Sequence, residues 1–423
     1  MGPAVKKTIL YVGCFSLDNW ESIWQRENML AEFLSKKHCV FYAWNAFNAS
    51  VRAFLADLVC AVPGDWQLAA VGRLCESARH VPVLRAWRPA VIAGLADRHT
   101  RHRKIQAEYI SRGYDLHFVQ LPVALNLLTH AINSKVIVFK LRNLMRQHGI
   151  SCFDTIIISN PTFFAPYVLN HIGTKKIIYD CGERYEYSEN HSRDVVQFER
   201  SILEKADIVT ADSVALRDEK SQMHDHVLAI VQGIDLNNYN ANKVATAEEP
   251  SDLAAIGRPR IGYVGSFHQS VEVQLLAKLA KEIPEANLVL IGPEPERVQH
   301  RLAFPNVSFL GWKPYGELPV YLNFMDAFII PYISTGHGEG VHPSKLWEYL
   351  FFQKPIIATA LPDLFDYERY LYIGRTHDEF VRFTKRAVVE GENKLATIPR
   401  DEWMRFLEQN SWESRFRAFE KLL

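Results

Sequence analysis

Lys345 and Glu348 stand three residues apart, just beyond a loop punctuated by Gly336, Gly338 and Gly340, in the stretch NFMDAFIIPYISTGHGEGVHPSKLWEYLFFQKPIIAT. His342, Pro343 and Ser344 supply a helix start between loop and pair, with proline at a first-turn position. The first amide N–H groups of such a helix have no partner within it and carry partial positive charge, so a phosphate held by the loop would meet a donor array. At helical spacing Lys345 and Glu348 share one face, while Leu346 and Leu350 share another that can be buried. Pro331 and Tyr332 end the apolar run Ala327 to Pro331 ahead of the loop, and Gly265, Ser266 and His268 form a second glycine-containing turn after the run Arg260 to Ser266. His342, Ser344, Lys345, Leu346 and Glu348 make one candidate site, and Gly265, Ser266, His268, Pro331 and Tyr332 are held as candidates beside it.

A second set of candidates lies in the first half. Asp180 follows the apolar run IIY and so falls at the C-terminal end of a strand, where ligand clefts open in doubly wound sheets; Glu183 follows three residues later. Gly13 closes the first strand, and Trp24 and Arg26 on the segment behind it suit a sugar or a lipid diphosphate. The turn GCFSLDNW lacks G-x-G-x-x-G, which counts against a nicotinamide dehydrogenase. His224-Asp225-His226 does not make a metal site, because neighbouring residues on a strand or helix point apart and no third ligand is near in sequence. No D-x-D pair occurs, so metal-bridged diphosphate binding lacks its signature, and no metal or other cofactor is expected.

The elements that must position these groups alternate along the chain. Apolar runs at 8–15, 39–44, 116–121, 155–159, 176–181, 207–211 and 227–231 are separated by helical stretches, and 260–266, 287–292, 307–311, 327–331 and 355–359 repeat the pattern. Such alternation argues for parallel, helix-covered sheets. A chain of 423 residues exceeds what one core supports, and the small, polar segment from Asn240 to Pro259 is the best linker. Lysine plus arginine and aspartate plus glutamate both total 48, so net charge gives no argument for nucleic acid. Arg73, Arg79, Arg85, Arg88, Arg98, Arg101, Arg103 and Lys104 nevertheless form a local basic patch against only Glu76 and Asp97. It reads either as an interfacial element on anionic lipid headgroups or as a solvated helix face. Six scattered cysteines without C-x-x-C spacing fit reduced thiols, the N-terminal apolar run is too short for a signal peptide, and no run is long enough to span a membrane. A cytoplasmic protein is expected, with peripheral contact to the inner face of a membrane left open.

PSKLWEYLFFQKPIIAT resembles the donor-binding helix of GT-B glycosyltransferases, with Phe351, Phe352 and Gln353 replacing the usual small residues and glycine. RPRIGYVGSFHQSVEVQLLAKLAKEIPEANLVLIGP and NVSFLGWKPYGELPVYLNFMDAFIIPY look like the opening of a GT-B C-terminal domain. KKIIYDCGERYEY, LEKADIVTADSVAL and VQGIDLNNY are similar to bacterial exopolysaccharide and teichuronic-acid-type transferases and, more distantly, to the xanthan glucuronosyltransferase. The likeness implies two Rossmann-like α/β domains facing a cleft: an acceptor domain over 1–240, a nucleotide-sugar domain over 260–405, and a last helix over 406–423 crossing back to the first domain. It implies that Lys345 meets the donor diphosphate, that Glu348 meets the ribose, and that no bound metal is needed. Asp180, by likeness to the glucuronosyltransferase, becomes the candidate base of an inverting reaction, with Glu183 as alternative. Two departures matter. The first glutamate of the large retaining group would fall on Gly340, with Glu339 one residue early, and that group's phosphate-binding arginine and lysine have only His268 in their place before Lys278. The activity implied is transfer of a sugar from a nucleotide diphosphate, UDP by preference and a uronic acid among the options, to a hydroxyl of a glycan or lipid-linked glycan in surface polysaccharide synthesis. A GT-B nucleotide-sugar epimerase and a non-catalytic nucleotide-sugar-binding partner are the rival readings.

Overall fold

The computed structural model describes residues 6–13, 26–47, 104–123, 130–187, 194–268, 270–293 and 296–423. Trp24 and all of the basic patch except Lys104 lie outside the described residues. The chain divides into two compact units, one of Met1–Cys181, Asn190–Val209 and Leu422–Leu423, the other of Gly182–Glu189 and Thr210–Lys421.

One sheet contains β1 (Thr8–Gly13), β2 (Cys39–Phe47), β3 (Leu116–Val123), β4 (Thr155–Ile158), β5 (Ile177–Cys181), β6 (Ile208–Ala211) and β7 (Val227–Ala229) in the order β3-β2-β1-β4-β5-β6-β7. TILYVG, TIII and IIYDC are nearly continuous runs of β-branched, aromatic and other apolar residues, as strands buried on both faces must be. β1 pairs in parallel with β2 on one side and β4 on the other, so the chain reverses its direction of winding between β1 and β4. At such a switch point the loops leave the sheet on opposite sides and open a crevice. Gly13, Ser159 and the helix Arg26–Ser35 all meet there.

A second sheet contains β8 (Arg260–Val264), β9 (Asn287–Ile291), β10 (Val307–Gly311), β11 (Ala327–Ile330), β12 (Ile356–Thr359) and β13 (Tyr372–Gly374) in the order β10-β9-β8-β11-β12-β13. Its pairings are parallel, and its switch point lies between β8 and β11. The helix Val273–Glu282 seals one part of it, burying Leu275, Leu276, Leu279 and Ala280 at helical spacing. The expected linker contains two short helices, Ala241–Ala245, capped by the Asn240 side chain, and Ser251–Ala254. The final stretch is two helices, Arg400–Gln409 and Trp412–Glu420, because Ser411 adopts an extended backbone and caps the second through its hydroxyl. No helix among the described residues is long and apolar enough to cross a membrane.

Candidate active site

The helix Lys345–Leu350 follows β11 and the 3₁₀ turn Gly336–Gly340 in the second unit. Its far end is tied down: the Trp403 indole N–H donates to the Leu350 carbonyl at 2.6 Å and Arg400 to the Phe351 carbonyl at 2.8 Å, satisfying carbonyls that a helix end leaves open. Leu346 and Leu350 are fully buried, as the periodicity requires. Leu346 therefore serves the core rather than a ligand, and its N–H is already bonded to the Pro343 carbonyl at 3.0 Å. The donor array imagined for this helix start is correspondingly reduced, since the Trp347 N–H also bonds back to Ser344. Ser344 is exposed and makes no capping bond with its side chain.

Lys345 is only 7% exposed, and its ammonium is fixed by aromatic rings. It donates to the Tyr332 hydroxyl, lies 4.4 Å from the Tyr332 ring centroid and 5.3 Å from that of Tyr263, so both ring faces attract the charge. A side chain at Gly265 would place its Cβ 3.3 Å from the Lys345 Cε and Nζ. Gly265 has φ +140° and Gly292 has φ +144°, and a Cβ at Gly292 would come within 2.2 Å of the Gly265 carbonyl oxygen. The strand ends of β8 and β9 are thus packed backbone against backbone, which only glycine permits. Tyr263 holds the turn from within by donating to the Ser266 carbonyl at 3.1 Å, and the exposed His268 contacts the Tyr332 ring edge-on at 5.4 Å. Pro331 holds the same corner through its carbonyl, which accepts the Glu272 N–H at 2.8 Å. Gly265, Ser266, His268, Pro331, Tyr332 and Lys345 therefore lie together where β8 and β11 end.

Glu348 lies one turn further along, partly buried beside Tyr239, Tyr315 and Asp235. Burial raises its pKa to about 7, and the Lys345 charge and the Tyr239 hydroxyl only partly offset the effect, while Asp235 adds to it. His342 has a different role from the one expected. It is buried, its Nδ1 faces Asp363 Oδ2 at 3.2 Å, and its Nε2 accepts from the Trp347 indole at 3.2 Å. With Nδ1 facing Asp363 and Nε2 facing the Trp347 indole, both ring nitrogens are engaged. Burial pushes the Asp363 carboxyl up, but hydrogen bonds from His342 and from the Ala215 and Val214 amides outweigh it and hold the pKa below the usual range.

Arg184 explains the missing glutamate at position 340. Its Nη1 pairs with Glu339 Oε2 at 2.7 Å and with the Gly336 carbonyl at 2.9 Å, while its Nε pairs with Glu219 Oε2 at 2.6 Å. A Cβ at Gly340 would meet the Arg184 Cγ at 2.7 Å, so the guanidinium stem occupies the space that a side chain there would need. Glu339 is consumed in pinning the turn. Tyr263, Gly292, Arg184 and Asp363 were not among the residues singled out from sequence. Tyr263, two residues before Gly265 on β8, is the one that strand parity could have found.

In the first unit, Arg26 and Asp180 bind each other. Nη2 donates to Oδ1 at 2.7 Å and Nε to Oδ2 at 3.0 Å, with the residues 8% and 2% exposed. The open strand-end carboxylate expected at Asp180 is instead buried, with both oxygens engaged by the Arg26 guanidinium. Beside the pair, Glu27 accepts from the Tyr42 hydroxyl at 3.0 Å and from Ser159 Oγ at 2.6 Å. Gly13 is required by the same cluster, since a Cβ there would lie 2.2 Å from the Tyr42 hydroxyl. Glu183 belongs to the second unit and is half-buried. His224 and His226 are not exposed to a third ligand among the described residues.

Residues 258–383 match the model of the family described as glycosyl transferases group 1. Over 224 residues the chain is 25% identical to a protein of Bacillus subtilis strain 168 named for glycosyltransfer in teichuronic acid biosynthesis, covering 48% of this chain and 55% of that one. That match spans about half the length of the relative. Among solved structures, sucrose-phosphate synthase from Thermosynechococcus elongatus superposes with TM-score 0.64 at 14% identity, covering 99% of this chain and 98% of its own. HepE from Anabaena, solved with UDP and glucose, superposes with TM-score 0.60 at 11% identity, covering 98% of this chain and 99% of its own. The fold is that of the GT-B glycosyltransferases, with two Rossmann-like parallel-sheet domains.

Proposed function

We propose that this chain, a glycosyltransferase by its group 1 domain and GT-B fold, takes a sugar from a nucleoside diphosphate sugar, UDP by preference, and places it on a hydroxyl of a glycan or lipid-linked glycan in surface polysaccharide synthesis. The observation that carries the reading is the Lys345 ammonium, desolvated between Tyr332 and Tyr263 against the bare backbone of Gly265. A diphosphate oxygen entering over the glycine would meet a fixed, largely buried cation, and charge developing on the leaving diphosphate would be stabilised with little reorganisation. In this reading Glu348, once ionised, accepts from the ribose hydroxyls. No metal is needed, because Lys345 supplies the positive charge.

On the acceptor side, Asp180 holds Arg26 by a two-point pair, and the bare Gly13 lets the Tyr42 hydroxyl pack against the end of β1. Glu183 is then the carboxylate to test as base. Support for UDP comes from the UDP complex of HepE, and support for a polysaccharide acceptor comes from the Bacillus relative. The deciding experiment offers a panel of nucleotide sugars with and without soluble glycan acceptors. Release of free nucleoside diphosphate only with acceptor supports transfer. Donor interconversion without acceptor would favour an epimerase, and binding without turnover would reduce the chain to a sugar-nucleotide-binding partner.

A further inference from the structure

Cys39, Asp115 and His117 bring a thiol, a carboxylate and an imidazole together at the end of the first sheet opposite to Gly13. The parity of the strands requires this. β2 and β3 run parallel with Phe41 paired to His117, so Cys39, Phe41, Asp115 and His117 all project from one face. The His117 ring stacks on Phe41 at 4.7 Å and 15°, and the His148 ring closes on it edge-on at 5.1 Å, which fixes the imidazole plane. One ligand atom from each of Cys39, Asp115 and His117 lies within 4.8 Å of the other two, and His117 Nε2 is 2.9 Å from Asp115 Oδ1. Sequence spacing conceals the group, because 76 positions separate Cys39 from Asp115.

We infer that Cys39, Asp115 and His117 form a zinc site that clips the edge strand β3 to β2. Sulfur, oxygen and nitrogen donors suit zinc, whose tetrahedral ligands stand about 3–4 Å apart, so a small inward shift completes three positions and water fills the fourth. The Lys6 ammonium, 2.6 Å from Asp115 Oδ2, takes the place of a cation at the carboxylate's outer oxygen. Its side chain is 62% exposed and is free to swing into solvent when a metal binds. The site sits at the N-terminal ends of β2 and β3, while sugar-transfer chemistry at the switch point belongs to the C-terminal ends, so its role is structural.

The test is equilibrium dialysis of the chelator-treated full chain against zinc, with parallel cobalt spectra. The wild type is expected to hold one zinc equivalent more than Cys39→Ser or His117→Ala, with affinity at that site at least tenfold lower in each variant. Lys6→Ala, which removes the competing ammonium, is expected to tighten binding. Cobalt in the wild type should show a thiolate charge-transfer band that Cys39→Ser lacks. Equal stoichiometry and affinity in all four proteins would overturn the assignment. If the Cys39 or His117 variants fail to fold, absence of the thiolate band in the wild type would overturn it, as would Lys6→Ala binding no tighter than wild type.

Discussion

Replacing Glu348 by Gln should change the slope of stability against pH, because the carboxyl's pKa rises from 4.5 to about 7 on folding. Below pH 4.5 the carboxyl is neutral in both folded and unfolded chains, and its contribution is fully present. As the pH climbs, the unfolded chain releases its proton first, so stability falls until the folded carboxyl also ionises near 7. Each pH unit in that window costs about 1.4 kcal/mol, which sets a ceiling of about 3.5 kcal/mol. Glu348 keeps part of its side chain in solvent, and screening reduces the expected effect to about 1–2 kcal/mol. Glutamine matches the neutral form in shape and does not titrate. Urea unfolding of both proteins from pH 4.5 to 8 at constant ionic strength should show Glu348→Gln gaining on the wild type across the window, while groups common to both cancel. A difference that stays flat between pH 4.5 and 8 would mean that Glu348 is not desolvated and would refute the reasoning.

Asp180→Asn leaves the Arg26 charge buried against a neutral partner, so it should cost about 3–5 kcal/mol in denaturant unfolding as well as reduce turnover. The double variant Arg26→Gln/Asp180→Asn should lose less than the two single costs added, and strict additivity would mean the pair is not coupled. Gly340→Ala should cost about 1–3 kcal/mol by displacing Arg184 from Glu339 and Glu219, and Arg184→Ala in the same chain should relieve most of the overpacking. Identical melting of Gly340→Ala and wild type would show that the turn tolerates a side chain. Glu183→Gln should lower turnover by about 10² or more with donor affinity unchanged if Glu183 is the base, and normal turnover would remove it from the chemistry.

The parallel sheets were legible because runs such as TILYVG and NLVLI are buried on both faces and need little context. β13 was not, since three residues beside a polar turn carry no period. Lys345 could be found from its place after a glycine loop. Its aromatic clamp could not, because Tyr263 and Tyr332 reach it from two strands that only the sheet order makes neighbours. Asp180 shows the opposite failure: a strand-end position said where the carboxylate lies, but its bond to Arg26 depends on packing 154 residues apart in sequence. His342 was misjudged for the same reason, since Asp363 and Trp347 claim both of its nitrogens.

The central claim is that Lys345, held by Tyr332 and Tyr263 over Gly265, receives the diphosphate of a nucleotide sugar. Calorimetric titration of UDP into the wild type and into Lys345→Ala tests it most directly. A charge-assisted contact of this kind is worth about 1.5–3 kcal/mol, so saturable one-site binding should weaken by about ten- to a hundredfold in the variant, measured at a temperature where unfolding curves show both proteins fully folded. Equal affinity in the two proteins would contradict the account.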